Sequence, residues 1–431
     1  MKNYSRRAWI RNASVMSGGV LLGPQLVSCI QEKAPNSKTI MVVSGWQDVN
    51  IGDIAHTPGL LNVLQKFLPE TKVILWKKSY SEKVEQLLNR NFPNVKIVHG
   101  HADKEGTVES EEVLAAMKEA DLMIHGSGPY VVGSVNLEAW MKYTEKPFGV
   151  FGVTIQRIRG NLLSILQKAS FIFTRETQSL DVLASEGLEG DHVGFGPDAT
   201  FYFNLRDEDK ASKFLSENGL EKNKFICAIP RLRYTPYYKI KPNNAGWSDE
   251  KIAQVNTHNA EYKEKDHAKM REVMIAWVRD TGNKVLVCPE MTYQVDIMDE
   301  LLIDPLPEDV KPFIVKHDYW LPDEAASVYK KANSVFSFEC HSPIIAAQAG
   351  TPVFYLRQPE DTIKGQMYYD LGLSDWVFEI DETQPEQIVS VARKVWNDYP
   401  AALKKLGASM KKVDNIYEKC ISIITKVKVN N

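Results

Sequence analysis

Short apolar runs alternate with mixed amphipathic stretches along the chain from residue 38 onward. A short, continuous apolar run is typical of a strand buried in a parallel sheet, and the longer periodic stretches between such runs are typical of helices. The runs predict strands at 39–43, 72–76, 95–99, 121–125, 146–153, 171–174, 192–196, 225–230, 284–288, 313–316, 335–338 and 351–356. This alternation predicts an α/β fold.

The pattern stops at a charged stretch and then restarts, which predicts two domains. We place an N-terminal Rossmann-like domain at 38–205, a linker at 206–223, a C-terminal Rossmann-like domain at 224–382 and C-terminal helices at 383–431. The last helix is expected to fold back onto the first domain. Two such β/α/β domains in series favour a GT-B-like arrangement with an interdomain cleft.

Local residue patterns also predict the start of the first helix, the bounds of two later helices and one insertion. The first helix is expected to begin at Thr57 and Pro58, after a loop at 49–53, because threonine caps helices and proline suits the first turn. A helix is expected at 266–280 and another at 343–349. Residues 231–265 then form a polar and aromatic insertion, which suits either sugar stacking or a surface loop with a small satellite core.

The first residues predict export. Residues 1–28 carry four basic residues and no acidic one, followed by an apolar run at 13–27 that is short for a membrane span. Residues 5–11, SRRAWIR, resemble a twin-arginine motif, and residues 26–29, LVSC, resemble a lipobox in which Cys29 is lipidated. We therefore expect a periplasmic or cell-envelope lipoprotein of a bacterium, held to the membrane by a lipid anchor on Cys29, with a tether at 29–37. The alternative is a buried cysteine after an uncleaved anchor.

Composition narrows the class of protein. The 431 residues are 44% hydrophobic and 25% charged, which is an ordinary globular composition with enough apolar material for a sizeable core. The formal net charge is −3, and removing the signal would take it to −7. This charge and the absence of a long basic run argue against nucleic acid as a partner.

Metal and cofactor motifs are absent from the sequence. The cysteines beyond Cys29 form no C-x-x-C pair, and no set of His, Asp and Glu has the spacing of metal ligands. The glycine pair in Gly126-Ser127-Gly128 allows a close backbone approach to a ligand, but it is not a dinucleotide fingerprint. We therefore predict no metal and no cofactor.

The stretch 335–364 contains the main candidate for chemistry. A predicted strand ends there at Glu339-Cys340-His341, and a helix follows. Ligands of open α/β sheets bind at the carboxyl ends of strands, and helix N-termini favour anions. His341 and Ser342 are therefore candidate site residues. The alternative is an ordinary β-α-β unit in which the histidine only caps the helix.

Charged residues follow other predicted strands as well. Arg175 and Arg231 are candidate anion clamps, because a guanidinium can bind an oxyanion through two hydrogen bonds. Weaker or neighbouring candidates are Glu176, Asp198, Arg233, Arg357 and Lys364. A turn cap remains the alternative role for Asp198, and a structural ion pair is the alternative for Arg175 and Glu176.

Taken together, these turns resemble the polysaccharide pyruvyl transferases over residues 39–373. The ordered motifs are Asn50-Ile51-Gly52-Asp53, Gly126-Ser127-Gly128-Pro129, Thr174-Arg175-Glu176, Pro197-Asp198-Ala199, and His341 followed by Gly350-Thr351-Pro352. The resemblance implies a GT-B-like fold. It also implies transfer of a pyruvate ketal from phosphoenolpyruvate, the donor, to two hydroxyls of a glycan acceptor, with Asn50 and Gly52 among the substrate-binding residues.

Ketal formation from an enol phosphate requires an acid, a base and cations for the donor. His341 is the candidate acid, because imidazole titrates near neutral pH. Asp53 or Asp198 is the candidate base, or orients a sugar hydroxyl. The anion clamps named above would hold the carboxylate and the leaving phosphate.

One residue departs from the family pattern. The family motif resembles S-x-R-x-H, whereas Ser337-Phe-Glu-Cys-His341 places Glu339 where the arginine is expected. A carboxylate repels an anionic donor unless another cation compensates, and Glu339 could instead act as a general acid or base. In addition, phosphoenolpyruvate is a cytoplasmic metabolite, whereas the signal predicts export.

Three functions therefore stay open. The first, which the ordered motifs favour and which we predict, is a pyruvyl transferase-like enzyme acting on a glycan of the cell envelope or exterior. The second is a non-catalytic glycan-binding lipoprotein on the same fold. The third is an exported glycan-active enzyme of another reaction type, using His341 with Glu339 or Asp198.

Overall fold

Residues 38–429 are described by the computed structural model, and they fold around two parallel sheets. The predicted export signal, the tether and the lipidated Cys29 lie outside the described residues and stay predictions. Within the described part of the chain, no helix is both long and apolar enough to cross a membrane.

All strand pairs in both sheets are parallel. The first sheet has the order β3-β2-β1-β4-β5-β6-β7, and the second has the order β10-β9-β8-β11-β12-β13. The strands are β1 Thr39–Ser44, β2 Lys72–Lys77, β3 Lys96–Val98, β4 Leu122–His125, β5 Phe148–Val153, β6 Phe171–Thr174, β7 Val193–Phe195, β8 Phe225–Ile229, β9 Lys284–Val287, β10 Ile314–Lys316, β11 Ser334–Ser337, β12 Val353–Arg357 and β13 Val377–Glu379. This confirms the predicted class of two Rossmann-like sheets, although β13 was not predicted.

Helices connect the strands and cover the sheets. They are α1 Ile51–Phe67, α2 Glu82–Asn91, α3 Glu111–Glu119, α4 Ser134–Tyr143, α5 Leu162–Leu166, α6 Gln178–Ser185, α7 Glu208–Glu217, α8 Tyr237–Ile240, α9 Asp249–Thr281, α10 Pro322–Tyr329, α11 His341–Gln348, α12 Gln366–Asp370, α13 Pro385–Asn397 and α14 Tyr399–Thr425.

The start of α1 was predicted wrongly. The helix begins at Ile51, because the side chain of Asn50 accepts hydrogen bonds from the backbone N–H groups of Gly52 (2.7 Å) and Asp53 (3.3 Å). Thr57 is not a cap: its hydroxyl donates to Ser44 Oγ at 2.8 Å. The predicted loop at 49–53 is therefore mostly the first turn of a helix at the end of β1.

The start of α9 was also wrong. This helix begins at Asp249, where Ser248 accepts a hydrogen bond from the backbone N–H of Lys251. It therefore absorbs the second half of the predicted insertion at 231–265. Similarly, α11 begins at His341 rather than at residue 343, so His341 belongs to the first turn of its helix.

The two sheets share one apolar core, which runs from Ile40 of β1 to Val335 of β11. A second cluster covers the other face of the first sheet. The last helix, α14, returns to the first sheet as predicted: the buried hydroxyl of Tyr417 donates to the backbone carbonyl of Asp198 at 2.7 Å. This packing holds the last helix against the loop that carries Asp198, after β7.

Candidate functional site

Polar and charged side chains that are normally exposed are buried where the carboxyl ends of the two sheets meet. A backbone hydrogen bond joins the two halves of the chain here. The N–H of Ile51, the first residue of α1, donates to the carbonyl of Glu290 at 3.0 Å. The buried polar residues around this contact are Asn50, Asp53, His56, Arg175, Glu176, Asp198, Arg231, Glu290, Glu339, His341 and Ser342.

The centre of the site is a pair of histidines with one aspartate. His341 Nε2 lies 3.1 Å from His56 Nε2, and His56 Nε2 lies 3.3 Å from Asp198 Oδ2. His341 Nε2 is 3.8 Å from the same carboxylate oxygen. Two ring nitrogens at hydrogen-bond distance require that one of them carries a proton. The arrangement therefore holds a proton between the imidazoles, next to a buried negative charge.

The surroundings favour the charged forms of His341 and Asp198. Burial by itself would lower the pKa of His341, but its neighbours Cys340, Asp198 and Glu290 raise it well above the usual value. Burial would raise the pKa of Asp198, but His56, His341 and Arg175 hold it well below the usual range. These shifts favour a protonated imidazole at His341 beside an ionised carboxylate at Asp198.

Sequence reasoning missed Glu290, which lies on the other side of the His341 ring. Its Oε2 accepts a hydrogen bond from the backbone N–H of Ser342 at 2.6 Å, and its Oε1 is 3.4 Å from His341 Nδ1. The position of Glu290 could have indicated it as a site residue, because it lies three residues after β9, at the same sheet edge as the other candidates.

His56 was missed as well, because the start of α1 was misplaced. With the helix beginning at Ile51, His56 and Asp53 lie on one face at a spacing of three residues. Asp53 Oδ1 is 3.9 Å from His56 Nδ1, and the Asp53 carboxylate also accepts from the side chain of Gln47.

Arg175 holds the Asp198 carboxylate, which lies beside the histidine pair. Its Nη1 lies 2.8 Å from Asp198 Oδ2, and its Nε donates to Thr154 Oγ1 at 2.7 Å. Burial raises the pKa of Glu176 to about 7, although Arg175, 3.8 Å away, opposes this shift. Asp198 also caps a turn by accepting from the backbone N–H of Thr200 at 2.9 Å. Both structural roles considered for these residues are thus present, within the candidate site itself.

Glu339 has a cation as its partner. Its Oε2 is 3.3 Å from Arg231 Nε, and its Oε1 accepts from Gln294 Nε2 at 2.8 Å. Arg231 also pairs with Asp361 at 2.5 Å, and Lys364 pairs with the same aspartate at 2.8 Å. Burial raises the pKa of Glu339 to about 7, against the effect of Arg231. The residue that departs from the family pattern therefore belongs to a buried network of two cations and two carboxylates.

Two candidate arginines pair with carboxylates elsewhere in the second half. Arg233 pairs with Asp266 at 2.8 Å and with Asp381. Arg357 pairs with Glu379 at 2.6 Å. Among the described contacts, neither joins the histidine pair.

The motif Gly126-Ser127-Gly128 supports the loop that carries Asp198. Ser127 Oγ accepts from the backbone N–H of Ala199 at 2.9 Å, and the Ser127 carbonyl accepts from Trp46 Nε1 at 2.7 Å. The hydroxyl of Ser342 accepts from Tyr329 at 3.3 Å. These contacts fix the backbone around the site.

Gly52 makes room for His341. A Cβ atom at Gly52 would overlap the His341 ring. We therefore expect Gly52→Ala to displace this imidazole and to lower the free energy of unfolding by about 1–3 kcal/mol, the usual cost of overpacking. Urea unfolding measures the change.

Gly407→Ala is the matched control, because Gly407 lies in α14 with open space around its Cβ position. There the substitution should stabilise by about 0.4–1 kcal/mol. Equal effects at the two positions would contradict the close packing of Gly52 on His341.

The same site is compact enough for a metal ion. One ligand-type atom from each of His56, Asp198 and His341 lies within 4.8 Å of the others. Sequence spacing predicted no such group, because the three residues come from segments far apart in the chain. The observed contacts equally fit a shared proton, which needs no ion.

The comparisons with known proteins agree with this architecture. The model of the polysaccharide pyruvyl transferase family matches residues 50–358. No curated protein matches the chain.

Three solved structures illustrate the fold. A putative UDP-N-acetylglucosamine 2-epimerase from Listeria monocytogenes is 14% identical, with a TM-score of 0.55, and the match covers 90% of this chain and 94% of that one. The UDP-GlcNAc 2-epimerase from Neisseria meningitidis, bound to UDP-GlcNAc, is 12% identical, with a TM-score of 0.53 and coverage of 90% and 100%. The ADP-heptose heptosyltransferase II from E. coli is 11% identical, with a TM-score of 0.50 and coverage of 84% and 99%.

At these identities the likeness shows the fold alone, which is the predicted GT-B arrangement of two Rossmann-like domains. The family model spans most of the chain and includes every motif from Asn50 to His341. The chain therefore belongs to the polysaccharide pyruvyl transferase family.

Proposed function

We propose that this protein transfers a pyruvate ketal from phosphoenolpyruvate to a glycan of the cell envelope or exterior, without a cofactor. The observation that carries the proposal is the His341–His56–Asp198 cluster, buried where the two sheets of a pyruvyl transferase-family chain meet. Export and a lipid anchor on Cys29 belong to the proposal and rest on the motifs in residues 1–29.

The reaction needs two glycan hydroxyls and one proton donor. The methylene carbon of the enol takes a proton, and the first hydroxyl adds to the neighbouring carbon and loses its own proton. The second hydroxyl then displaces phosphate from that carbon and also loses its proton, which closes the cyclic ketal. One proton has gone to the methylene carbon and the other leaves with phosphate.

We assign the proton on His341 to the enol carbon. The raised pKa of this imidazole supports the assignment, because it favours the protonated ring that a general acid needs. His56 is the positioning partner that shares this proton at 3.1 Å. Glu290 fixes the ring from its other nitrogen.

We assign the role of base to Asp53 rather than to Asp198. Asp198 is completely buried and already bound to Arg175, so it is suited to holding the imidazoles. Asp53 keeps a small exposed fraction and lies beside His56 at the start of α1. A sugar hydroxyl at this edge could deliver its proton to Asp53.

Mass spectrometry tests the transfer directly. The purified protein is incubated with phosphoenolpyruvate and a panel of galactose-, mannose- and N-acetylhexosamine-containing glycans, with a chelator present to remove adventitious metal. We expect the mass gain of a pyruvate ketal on at least one glycan and an equal amount of released phosphate. Reactions without donor are the control. A panel without any gain would overturn the proposal.

A glycan-binding protein without catalysis is the second candidate. The observation in its favour is that Arg231 already pairs with Glu339 and Asp361, so it is not free for a donor. Saturable glycan binding without turnover would select this function. Product release without any phosphate donor would select the third function, a glycan-active enzyme of another reaction type.

A further inference from the structure

Two carboxylates balance two cations around Arg231 when Glu339 is ionised. The two cations are Arg231 and Lys364, and the two carboxylates are Asp361 and Glu339. All four side chains are at most about one-sixth exposed, so solvent screens them weakly. When Glu339 is ionised, above its pKa of about 7, an anionic ligand that reaches this cluster finds no excess of positive charge.

Of the two carboxylates, Asp361 is the more firmly held. It accepts from Tyr355 at 2.6 Å as well as from both cations. Glu339 has one neutral donor, Gln294, and a looser contact of 3.3 Å with Arg231. Arg231 Nε has no hydrogen-bond partner among the described groups, although it is buried. Glu339 is thus the partner that Arg231 can exchange.

We propose that Glu339 occupies the place of a ligand carboxylate on Arg231 and thereby sets the selectivity of the cleft for its anionic donor. Glu339 presents a carboxylate to a guanidinium, and this pairing has the same chemistry as the pairing of a 2-oxo acid or enol acid with arginine. Glu339 lies two residues before His341 on the same turn, so this place adjoins the histidine pair.

The inference rests on the proposed function for the identity of the donor, but its test needs no glycan. Binding of phosphoenolpyruvate is measured by isothermal titration calorimetry with the full chain and with Glu339→Gln, at a pH above 7 where Glu339 is ionised. The glutamine has the same shape and still accepts from Gln294, but it carries no charge. We expect phosphoenolpyruvate to bind the variant about tenfold more tightly or better, since it no longer competes with a built-in carboxylate.

Pyruvate and inorganic phosphate identify which group of the donor takes the place. The affinity for pyruvate should increase in Glu339→Gln as the affinity for phosphoenolpyruvate does, whereas the affinity for phosphate should increase less. A gain for phosphate alone would overturn the assignment of a carboxylate site.

Asp381→Asn is the matched control, because it removes a carboxylate from the neighbouring candidate Arg233. We expect no change in donor affinity there. Equal affinity of the wild-type chain and Glu339→Gln, including no binding by either, would overturn the proposal. If Glu339→Gln does not fold, Glu339→Asp replaces it, since its shorter side chain withdraws the charge from Arg231 and should change affinity in the same direction.

The two hypotheses fail differently. Tighter donor binding in Glu339→Gln without any ketal product would leave the selectivity inference standing and remove the transfer reaction. If ketal product forms but Glu339→Gln leaves the donor affinity unchanged, the transfer reaction stands and the selectivity inference falls.

Discussion

Replacement of His341 by glutamine is expected to lower the rate of ketal formation by about 10²–10⁴-fold, the usual contribution of a general acid. Glutamine keeps a polar side chain of similar size, but it cannot donate a proton from a charged ring. His56→Gln should also lower the rate, but by less, because His56 acts through His341 at 3.1 Å. The rates are measured by mass spectrometry of the glycan product.

The control for this experiment is His101→Gln, at an exposed position outside the site. Its rate should equal that of the wild-type protein. Thermal melting of each variant shows whether the fold is retained. An unchanged rate in a folded His341→Gln protein would remove this histidine from the reaction, whatever the product.

Arg175→Leu is expected to lower the free energy of unfolding by about 3–5 kcal/mol. The substitution removes the cation that lies 2.8 Å from Asp198, and it leaves a completely buried carboxylate with less compensation. The free energy is measured by urea unfolding at neutral pH. The double variant Arg175→Leu with Asp198→Asn should recover part of the loss, because the uncompensated charge is then gone.

Arg393→Leu provides the comparison for a surface ion pair. Arg393 pairs with Asp280 at 2.6 Å, but both side chains are exposed. Such pairs contribute about 1 kcal/mol or less. If Arg175→Leu cost no more than Arg393→Leu, the Arg175–Asp198 pair would not be what stabilises the buried carboxylate.

The candidate site was only partly predictable from the sequence. His341, Asp198, Arg175 and Arg231 were found because each follows a strand at the carboxyl edge of its sheet. His56 and Glu290 were not found, although their polar atoms lie 3.1 Å and 3.4 Å from the ring nitrogens of His341. His56 was hidden by a misplaced helix start, since Asn50 and Thr57 are both good capping residues and only the structure shows which one caps.

The sequence by itself determined the fold class. Apolar runs, turn residues and the restart of the pattern encode two parallel α/β sheets, because periodicity and burial of strands and helices are local properties of the chain. The ordered motifs also placed the chain in its family.

The tertiary structure alone decided which side chains meet. Asp198 and His341 lie in different halves of the chain, and Glu339 pairs with Arg231 more than one hundred residues away. Such contacts depend on how the fold brings the carboxyl ends of the two sheets together, and no local sequence pattern encodes this arrangement. From the sequence, Glu339 was expected to repel an anionic donor. The structure shows that it pairs with the buried Arg231 instead.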